Sequence, residues 1–187
     1  MKIGITGSLA SGKTVASQIL SKNRGPLFSA DTTVKQMYTQ DKFKKTILKK
    51  LNLKAKTNIK KFLRKKILQD KSYVKHLEKI IHPLVRREMY KFLKKNKKKP
   101  FVFLEIPLLI ESKLMKNFDL IFFIKAKKII RLKRFILKGG NKKMFHILNN
   151  KQLSDAKKIK YCDHIIVNEN NLKILKKNLL DILKQYE

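Results

Sequence analysis

Residues 7–14, Gly-Ser-Leu-Ala-Ser-Gly-Lys-Thr, have the types and spacing of a phosphate-binding loop. They match the pattern G-x-x-x-x-G-K-[ST], in which glycines let backbone N–H groups surround phosphate oxygens. Lys13 is expected to reach the β- and γ-phosphates of ATP, and the Thr14 hydroxyl to bind Mg²⁺. The residues predicted to bind the nucleotide are Gly7, Ser8, Leu9, Ala10, Ser11, Gly12, Lys13, Thr14 and Val15.

Such a loop needs a strand before it and a helix after it, and the sequence predicts both. Residues 2–6 are predicted to form a buried strand, and residues 13–22 carry Val15, Ile19 and Leu20 at helical spacing. Short apolar segments separated by helical stretches predict an α/β fold with a parallel sheet. The other strands are predicted at 27–30, 101–105, 118–124 and 164–167.

The stretch 34–98 is predicted to be helical and is strongly basic. The pair His82-Pro83 is expected to interrupt it, because proline suits the first turn of a new helix better than a helix interior. Further helices are predicted after the strand at 118–124, ending near Gly139-Gly140, and over residues 171–186.

A carboxylate follows the second predicted strand, in Ser29-Ala-Asp31. Beside a phosphate-binding loop this position opens onto the phosphates, where Asp31 could accept a proton from an acceptor hydroxyl or orient that hydroxyl. Asp31 could equally cap the following helix. The residues alone leave both roles open.

The composition favours a folded domain with a very basic surface. The chain has 187 residues, a hydrophobic fraction of 43% and a formal net charge of +34. Of its 47 basic residues only 6 are Arg, the residue suited to bidentate recognition of bases and phosphates. We therefore expect weak, salt-sensitive binding to polyanions and no dedicated nucleic-acid site.

The sequence predicts a cytoplasmic protein without a membrane anchor, and we expect a monomer. No apolar run approaches the roughly 20 residues of a membrane helix, and a strand-like segment begins at once, leaving no room for a signal peptide. The single cysteine, Cys162, is expected to be a small buried residue in a reducing compartment.

Three further motifs complete a pattern that resembles the dephospho-CoA kinase family. They are His82-Pro-Leu-Val-Arg86, Glu105-Ile-Pro-Leu-Leu-Ile-Glu111 and Cys162-Asp-His-Ile-Ile-Val-Asn168, with Gln152 and Lys158 at the family spacing before Asp163. The resemblance covers about residues 2–175. The order and spacing of the motifs are more specific than any one motif after the phosphate loop.

The resemblance implies a P-loop three-layer sandwich with a five-stranded parallel sheet, a helical substrate-binding region and a lid. The chain would be one domain, with its core at about 1–33, 99–130 and 161–187, its acceptor-binding region at about 34–98 and its lid at about 131–160. It would transfer the ATP γ-phosphoryl to the ribose 3′-hydroxyl of dephospho-CoA, the last step of coenzyme A biosynthesis.

The resemblance also implies roles for single residues. Asp31 would be the catalytic aspartate, aided by Lys13 and by Arg134, whose planar guanidinium suits the charge of the transferred phosphate. The residues implied to bind the acceptor are Asp31, His82, Arg86, Pro107, Leu108 and Leu109. Without the resemblance, His82 would be interpreted as a capping or core histidine. The alternative for Arg134 is a solvated helix face. Glu111 is expected to fix its turn.

Two positions depart from the family pattern. Ser29 stands where the family often has a first aspartate, so one carboxylate is available after the second strand. The family often has an Arg shortly before the position of Gln152, and here Lys138, Lys142 or Lys143 would have to substitute as less well oriented charges.

Two other functions are compatible with the phosphate loop. A P-loop kinase for another small hydroxyl acceptor (a nucleoside, shikimate or a sugar acid) shares everything up to Thr14, but does not predict the His82-Pro and Pro107-Leu-Leu motifs. A basic nucleic-acid-binding NTPase predicts turnover stimulated by DNA or RNA, with a steep salt dependence.

Overall fold

A computed structural model describes residues 1–52, 59–70 and 72–187 of the chain. In this part of the chain, five parallel strands form one sheet in the order β2-β3-β1-β4-β5. This confirms the predicted α/β fold with a five-stranded parallel sheet. The strands are β1 (Lys2–Gly7), β2 (Leu27–Ser29), β3 (Val102–Glu105), β4 (Leu120–Lys125) and β5 (His164–Val167).

The helices fall into two compact units of the chain. The first unit comprises Met1–Ser29 and Lys95–Glu187, and holds the sheet with α1 (Lys13–Ser21), α6 (Lys128–Leu137), α7 (Lys142–Asn150), α8 (Asp155–Ile159) and α9 (Leu172–Leu183). Short 3₁₀ helices span Met115–Asn117 and Lys184–Tyr186. The second unit, Ala30–Lys94, holds α2 (Ala30–Met37), α3 (Asp41–Lys50), α4 (Ile59–Gln69) and most of α5 (Ser72–Lys95).

The core of the first unit forms around the central strand β1. Ile3 and Ile5 are fully buried, as expected for a strand in the middle of a parallel sheet, which is covered on both faces. Helices α1 and α9 contribute Leu20 and Leu179 to the same cluster. The strand that leads into the phosphate loop is therefore buried in the core of this unit.

The carboxyl ends of the five strands meet at one edge of the sheet, because all strands are parallel. Gly7, Ser29 and Glu105 end β1, β2 and β3, and Asn168 follows β5. In open α/β sheets, ligands bind outside this edge. The topology thus brings the predicted phosphate loop and the polar residues Ser29, Glu105 and Asn168 to the edge where a ligand is expected.

The second unit differs from its prediction at one helix. The predicted interruption at His82-Pro83 is wrong, because α5 continues through Pro83. Proline removes one helical hydrogen bond, but Val74, Leu77 and Met89 bury the apolar face of α5 on both sides of it. The predicted helical stretch 34–98 also includes residues 53–58 and 71, which lie outside the described residues.

The face of α1 also differs from its prediction. Val15 is 39% exposed, whereas Lys13, Ala16, Ser17 and Leu20 are buried. The reason is that the phosphate loop, which directly precedes α1, sets the rotation of this helix about its axis. At this rotation the Lys13 side chain is buried. Among the residues that the structure describes, no helix combines the length and apolarity needed to cross a membrane.

Candidate active site

The loop from Gly7 to Thr14 joins the end of β1 to the start of α1, as the motif requires. Gly7 and Gly12 have positive φ angles of 148° and 99°, which side chains strongly disfavour. A Cβ atom at Gly7 would also overlap the carbonyl oxygen of Ile124, and one at Gly12 would overlap the Asn168 side chain. Both glycines are therefore required by backbone angle and by space.

The Lys13 side chain is folded back across this loop. It is 7% exposed, and its Nζ donates a hydrogen bond to the Ser8 carbonyl oxygen at 2.9 Å. The first N–H groups of α1 have no partner within the helix, and they carry the positive end of its dipole. Backbone donors and a buried ammonium group thus converge at the loop, which makes it suited to phosphate.

A buried carboxylate lies directly beside the loop. Glu105, at the end of β3, is fully buried, and its two oxygens accept hydrogen bonds from the hydroxyls of Thr14 (2.6 Å) and Ser29 (2.9 Å). Glu105 is not among the site residues predicted from the sequence. Its position at the end of the strand predicted at 101–105 is the sequence signal that could have identified it, because ligands bind at the carboxyl ends of parallel strands.

Thr14 and Glu105 fit a magnesium ion that is bound together with a nucleotide. Mg²⁺ prefers oxygen ligands and is commonly held by one or two carboxylates plus substrate phosphates and water, without a cage made only of protein groups. The described residues contain no group of three or more His, Cys, Asp or Glu that could hold a metal ion.

The second half of the loop is held by two side chains that donate to one carbonyl. Asn168 Nδ2 and Arg134 Nη1 lie 2.8 and 3.4 Å from the Ser11 carbonyl oxygen. The structure therefore brings Arg134 to the phosphate loop, and its role in phosphate transfer stays a prediction. The buried Ser11 Oγ has no hydrogen-bond partner in the described part of the chain.

Arg131, on α6, holds the first half of the loop by a hydrogen bond to its backbone. Its guanidinium donates to the carbonyl oxygens of Ala126 (3.1 Å) and Leu9 (3.2 Å) and to Asn149 Oδ1 (2.8 Å). Burial lowers the pKa of Arg131, and the negative charge of Asp155 opposes this shift. No sequence signal separates Arg131 from the other residues on the face of α6.

The segment that follows α7 also contacts the loop. Gln152 Oε1 accepts a hydrogen bond from the Leu9 N–H at 3.0 Å, and the Asp155 carboxylate accepts one from the Ser8 hydroxyl. Both residues belong to the region 131–160 that the sequence analysis interpreted as a lid. In this structure the region carries polar groups that lie directly on the phosphate loop.

The Pro107-Leu108-Leu109 turn follows β3 in the first unit. Leu109 is fully buried, and a Cβ at Gly4 would lie 2.9 Å from its Cδ1. The Pro107 carbonyl oxygen lies 3.3 Å from the Thr6 hydroxyl, which donates to it, and Pro107 and Leu108 are half-buried. Leu109 therefore packs the core, and the acceptor role of the turn stays a prediction.

The second unit carries the other predicted acceptor residues. Asp31 is exposed in the first turn of α2, which begins at Ala30, so Asp31 is not the residue that precedes this helix as a cap. His82 and Arg86 lie on α5 and line a cavity of about 600 Å³. The cavity is also lined by Pro83, Arg87, Tyr90, Lys91 and Lys94. Its basic lining favours an anionic ligand.

Comparison with known proteins decides which kind of P-loop protein this is. The family model described as dephospho-CoA kinase matches residues 1–173. The chain belongs to the dephospho-CoA kinase family. It is therefore an ATP-dependent kinase, and the resemblance predicted from its motifs is confirmed.

Relatives within the dephospho-CoA kinase family match almost the whole chain. The dephospho-CoA kinase of Rickettsia typhi is 33% identical over 188 residues, covering 100% of this chain and 98% of the relative. That of Bartonella quintana is 33% identical over 192 residues, covering 97% and 96%. The structure of dephospho-CoA kinase from Campylobacter jejuni is 25% identical, with a TM-score of 0.65 and coverage of 99% and 97%.

The fold of the dephospho-CoA kinase family is shared with kinases for other small acceptors. Shikimate kinase from Acinetobacter baumannii, solved in complex with shikimate, is 14% identical and has a TM-score of 0.56 over 98% of this chain. This likeness concerns the fold alone. It confirms the predicted P-loop kinase architecture, and the choice of acceptor depends on the family match and on the residues that follow the phosphate loop.

Proposed function

We propose that this chain transfers the γ-phosphoryl group of ATP to the ribose 3′-hydroxyl of dephospho-CoA, completing coenzyme A. The observation that carries the proposal is a fully formed phosphate loop in a chain that matches the dephospho-CoA kinase family over residues 1–173.

ATP binds to residues 7–15 in this proposal, with Thr14 and Glu105 holding Mg²⁺. The hydrogen bond of 2.6 Å between these two side chains supports the assignment, because it places a hydroxyl and a carboxylate oxygen at one point beside the loop. When bound, Mg²⁺ neutralises part of the charge on the phosphates. Lys13 contributes the fixed positive charge inside the loop.

Arg134 is the second positive group in the proposed reaction. Its Nη1 already lies 3.4 Å from the Ser11 carbonyl oxygen, so it needs no large movement to reach a phosphate held by the loop. Its planar guanidinium is suited to the charge spread over the transferring group. We assign it to stabilisation of the transition state.

Asp31 acts on the acceptor in the proposed mechanism. It accepts the proton of the 3′-hydroxyl while that oxygen forms a bond to the γ-phosphorus and the bond to the β-phosphate oxygen breaks, releasing ADP. His82 and Arg86 bind the anionic acceptor, and the basic cavity that they line supports this role. We also assign Pro107, Leu108 and Leu109 to the acceptor site.

The domain organisation proposed for this reaction is that of one kinase domain. Its core comprises about 1–33, 99–130 and 161–187, its acceptor region about 34–98 and its lid about 131–160. Closure of the lid would exclude water and limit hydrolysis of ATP. We propose that the enzyme works as a monomer in the cytoplasm, where ATP is supplied.

An acceptor panel tests the proposal. Release of ADP by the purified chain would be measured with dephospho-CoA, shikimate, adenosine and single-stranded DNA. Coenzyme A is the matched control, because its 3′-hydroxyl is already phosphorylated. We expect strong stimulation by dephospho-CoA alone, with a 3′-phosphorylated product identified by mass spectrometry. Stimulation by shikimate, adenosine or DNA instead would refute the assigned acceptor.

A further inference from the structure

A buried ion pair joins the turn after β3 to helix α8. Lys158 is completely buried, and its Nζ lies 2.8 Å from Oε1 of Glu111, whose side chain is 17% exposed. Lys158 Nζ has no partner in hydrogen-bond geometry in the described part of the chain, so its interaction with Glu111 is that of two charges in contact. A buried ammonium group depends strongly on such a partner.

The same carboxylate holds the backbone of the segment before α8. Glu111 Oε1 accepts a hydrogen bond from the Leu153 N–H at 3.1 Å. Leu153 is adjacent to Gln152, whose side chain accepts from the Leu9 N–H of the phosphate loop. Glu111 therefore contacts the 152–158 segment at Leu153 and at Lys158. These two positions lie one and six residues after Gln152, which contacts the phosphate loop.

The contacts of this segment leave little freedom between the ion pair and the loop. Ser154 caps α8 by accepting from the Lys157 N–H, and Asp155 in the first turn accepts from the Ser8 hydroxyl. The segment is thus fixed at Glu111 on one side and at Ser8 and Leu9 on the other. A change at the ion pair is therefore expected to shift Gln152 and to weaken its contact with Leu9.

We propose that Glu111 and Lys158 are positioning residues for nucleotide binding, which act by holding Gln152 against Leu9 of the phosphate loop. Neither residue contacts the nucleotide. The inference rests on the proposed ATP site and adds a connection from the Pro107–Glu111 turn to the loop. It does not depend on the identity of the acceptor.

Binding of ATP to the purified chain, measured by calorimetry without any acceptor, tests this connection. We expect Lys158→Met to weaken ATP binding about fivefold and Gln152→Ala about threefold, in the range of coupled contacts. The double variant should bind no more weakly than Lys158→Met, because both changes remove the same contact. Lys158→Arg, which keeps the charge, should recover part of the affinity.

Lys157→Met is the matched control, because Lys157 is exposed on the same helix. It should leave ATP affinity unchanged. If Lys158→Met lowers the melting temperature but binds ATP like the wild type, the ion pair serves stability alone and the proposal is wrong. If Lys158→Met does not fold, Gln152→Ala decides, since unchanged ATP affinity in that variant also overturns the proposal. Failure of dephospho-CoA as acceptor would leave both readouts intact.

Discussion

The phosphate loop and the predicted acceptor residues of the Ala30–Lys94 unit are built in different ways. Lys13 donates to the Ser8 carbonyl oxygen within the loop, and Thr14 donates to Glu105 at the end of β3. The Ser11 carbonyl oxygen accepts from Asn168, which follows β5. By contrast, Asp31 and Arg86 are exposed side chains on helices of the Ala30–Lys94 unit. The side chains of the nucleotide site, such as Lys13 and Glu105, are buried. The charged side chains of the predicted acceptor site lie on exposed helix surfaces.

This difference follows from what each side must recognise. A phosphate group is small and highly charged, so it is best bound by donors that are fixed in advance and cost no reorganisation. A larger acceptor can be selected by a few exposed charges along a helix. Substitutions on the nucleotide side should therefore lower turnover, and those on the acceptor side should mainly weaken acceptor binding.

The largest effect is expected at Lys13. Lys13→Met should lower acceptor-dependent ADP release about 10³-fold, because the charge that stabilises the transferring phosphoryl group is lost. Lys22→Met, an exposed lysine just after α1, is the control and should behave like the wild type. Near-normal turnover in Lys13→Met would show that the loop does not contribute its lysine to the reaction.

The next largest effect is expected at Glu105. Glu105→Gln keeps the shape of the side chain but removes its charge, so the Mg²⁺ concentration for half-maximal turnover should rise about tenfold. A titration with Mg²⁺ at saturating ATP measures this. Asp181→Asn, an exposed position on α9, is the control. Identical titration curves for Glu105→Gln and the wild type would show that the buried Glu105 carboxylate does not help to bind Mg²⁺.

A change on the acceptor side should divide the kinetic constants differently. Arg86→Ala should raise the KM for dephospho-CoA about tenfold and leave the KM for ATP unchanged, because the cavity that Arg86 lines is formed by α5 residues and by none of the phosphate loop. Lys75→Ala, exposed on the same helix, serves as the control. A rise in the KM for ATP instead would remove the distinction between the two sides.

The smallest effect on turnover is expected at Cys162. Burial raises the pKa of the Cys162 thiol to about 12, and the negative charge of Asp163 adds to this shift. At pH 8 the reactive thiolate is therefore scarce, and labelling should be about 10³-fold slower than for an exposed thiol, rising with pH. Cys162→Ala should retain full turnover. Rapid labelling at pH 8 would contradict the raised pKa of this thiol, which the structure shows as half-buried and not as the buried side chain expected from the sequence.

Local sequence was sufficient to predict the loop and the approximate positions of the five strands. The pattern at Gly7–Thr14 predicted the backbone between β1 and α1, because glycine spacing and position in the chain are local properties. The strand at 164–167 was also predicted with its observed bounds. Proline at position 83 misled the prediction of α5, because burial of its apolar face outweighed the local signal.

Contacts between distant segments could not be predicted. The carboxylate of Glu105 lies beside Thr14 only because β3 pairs with β1, and Gln152 reaches Leu9 across 143 positions of sequence. No alternation or spacing in the chain encodes these pairs. The roles of Asp31, His82 and Arg134 stay predictions for a different reason. They depend on bound ligands as well as on the chain.

Acceptor-dependent ADP release in Asp31→Asn tests the central claim most directly. Wild type, Asp31→Asn and the control Asp41→Asn, which changes another exposed aspartate of the same unit, would be compared with and without dephospho-CoA. We expect dephospho-CoA to stimulate the wild type and Asp41→Asn, and Asp31→Asn to lose that stimulation while still binding ATP. Full stimulation in Asp31→Asn would contradict the proposed mechanism.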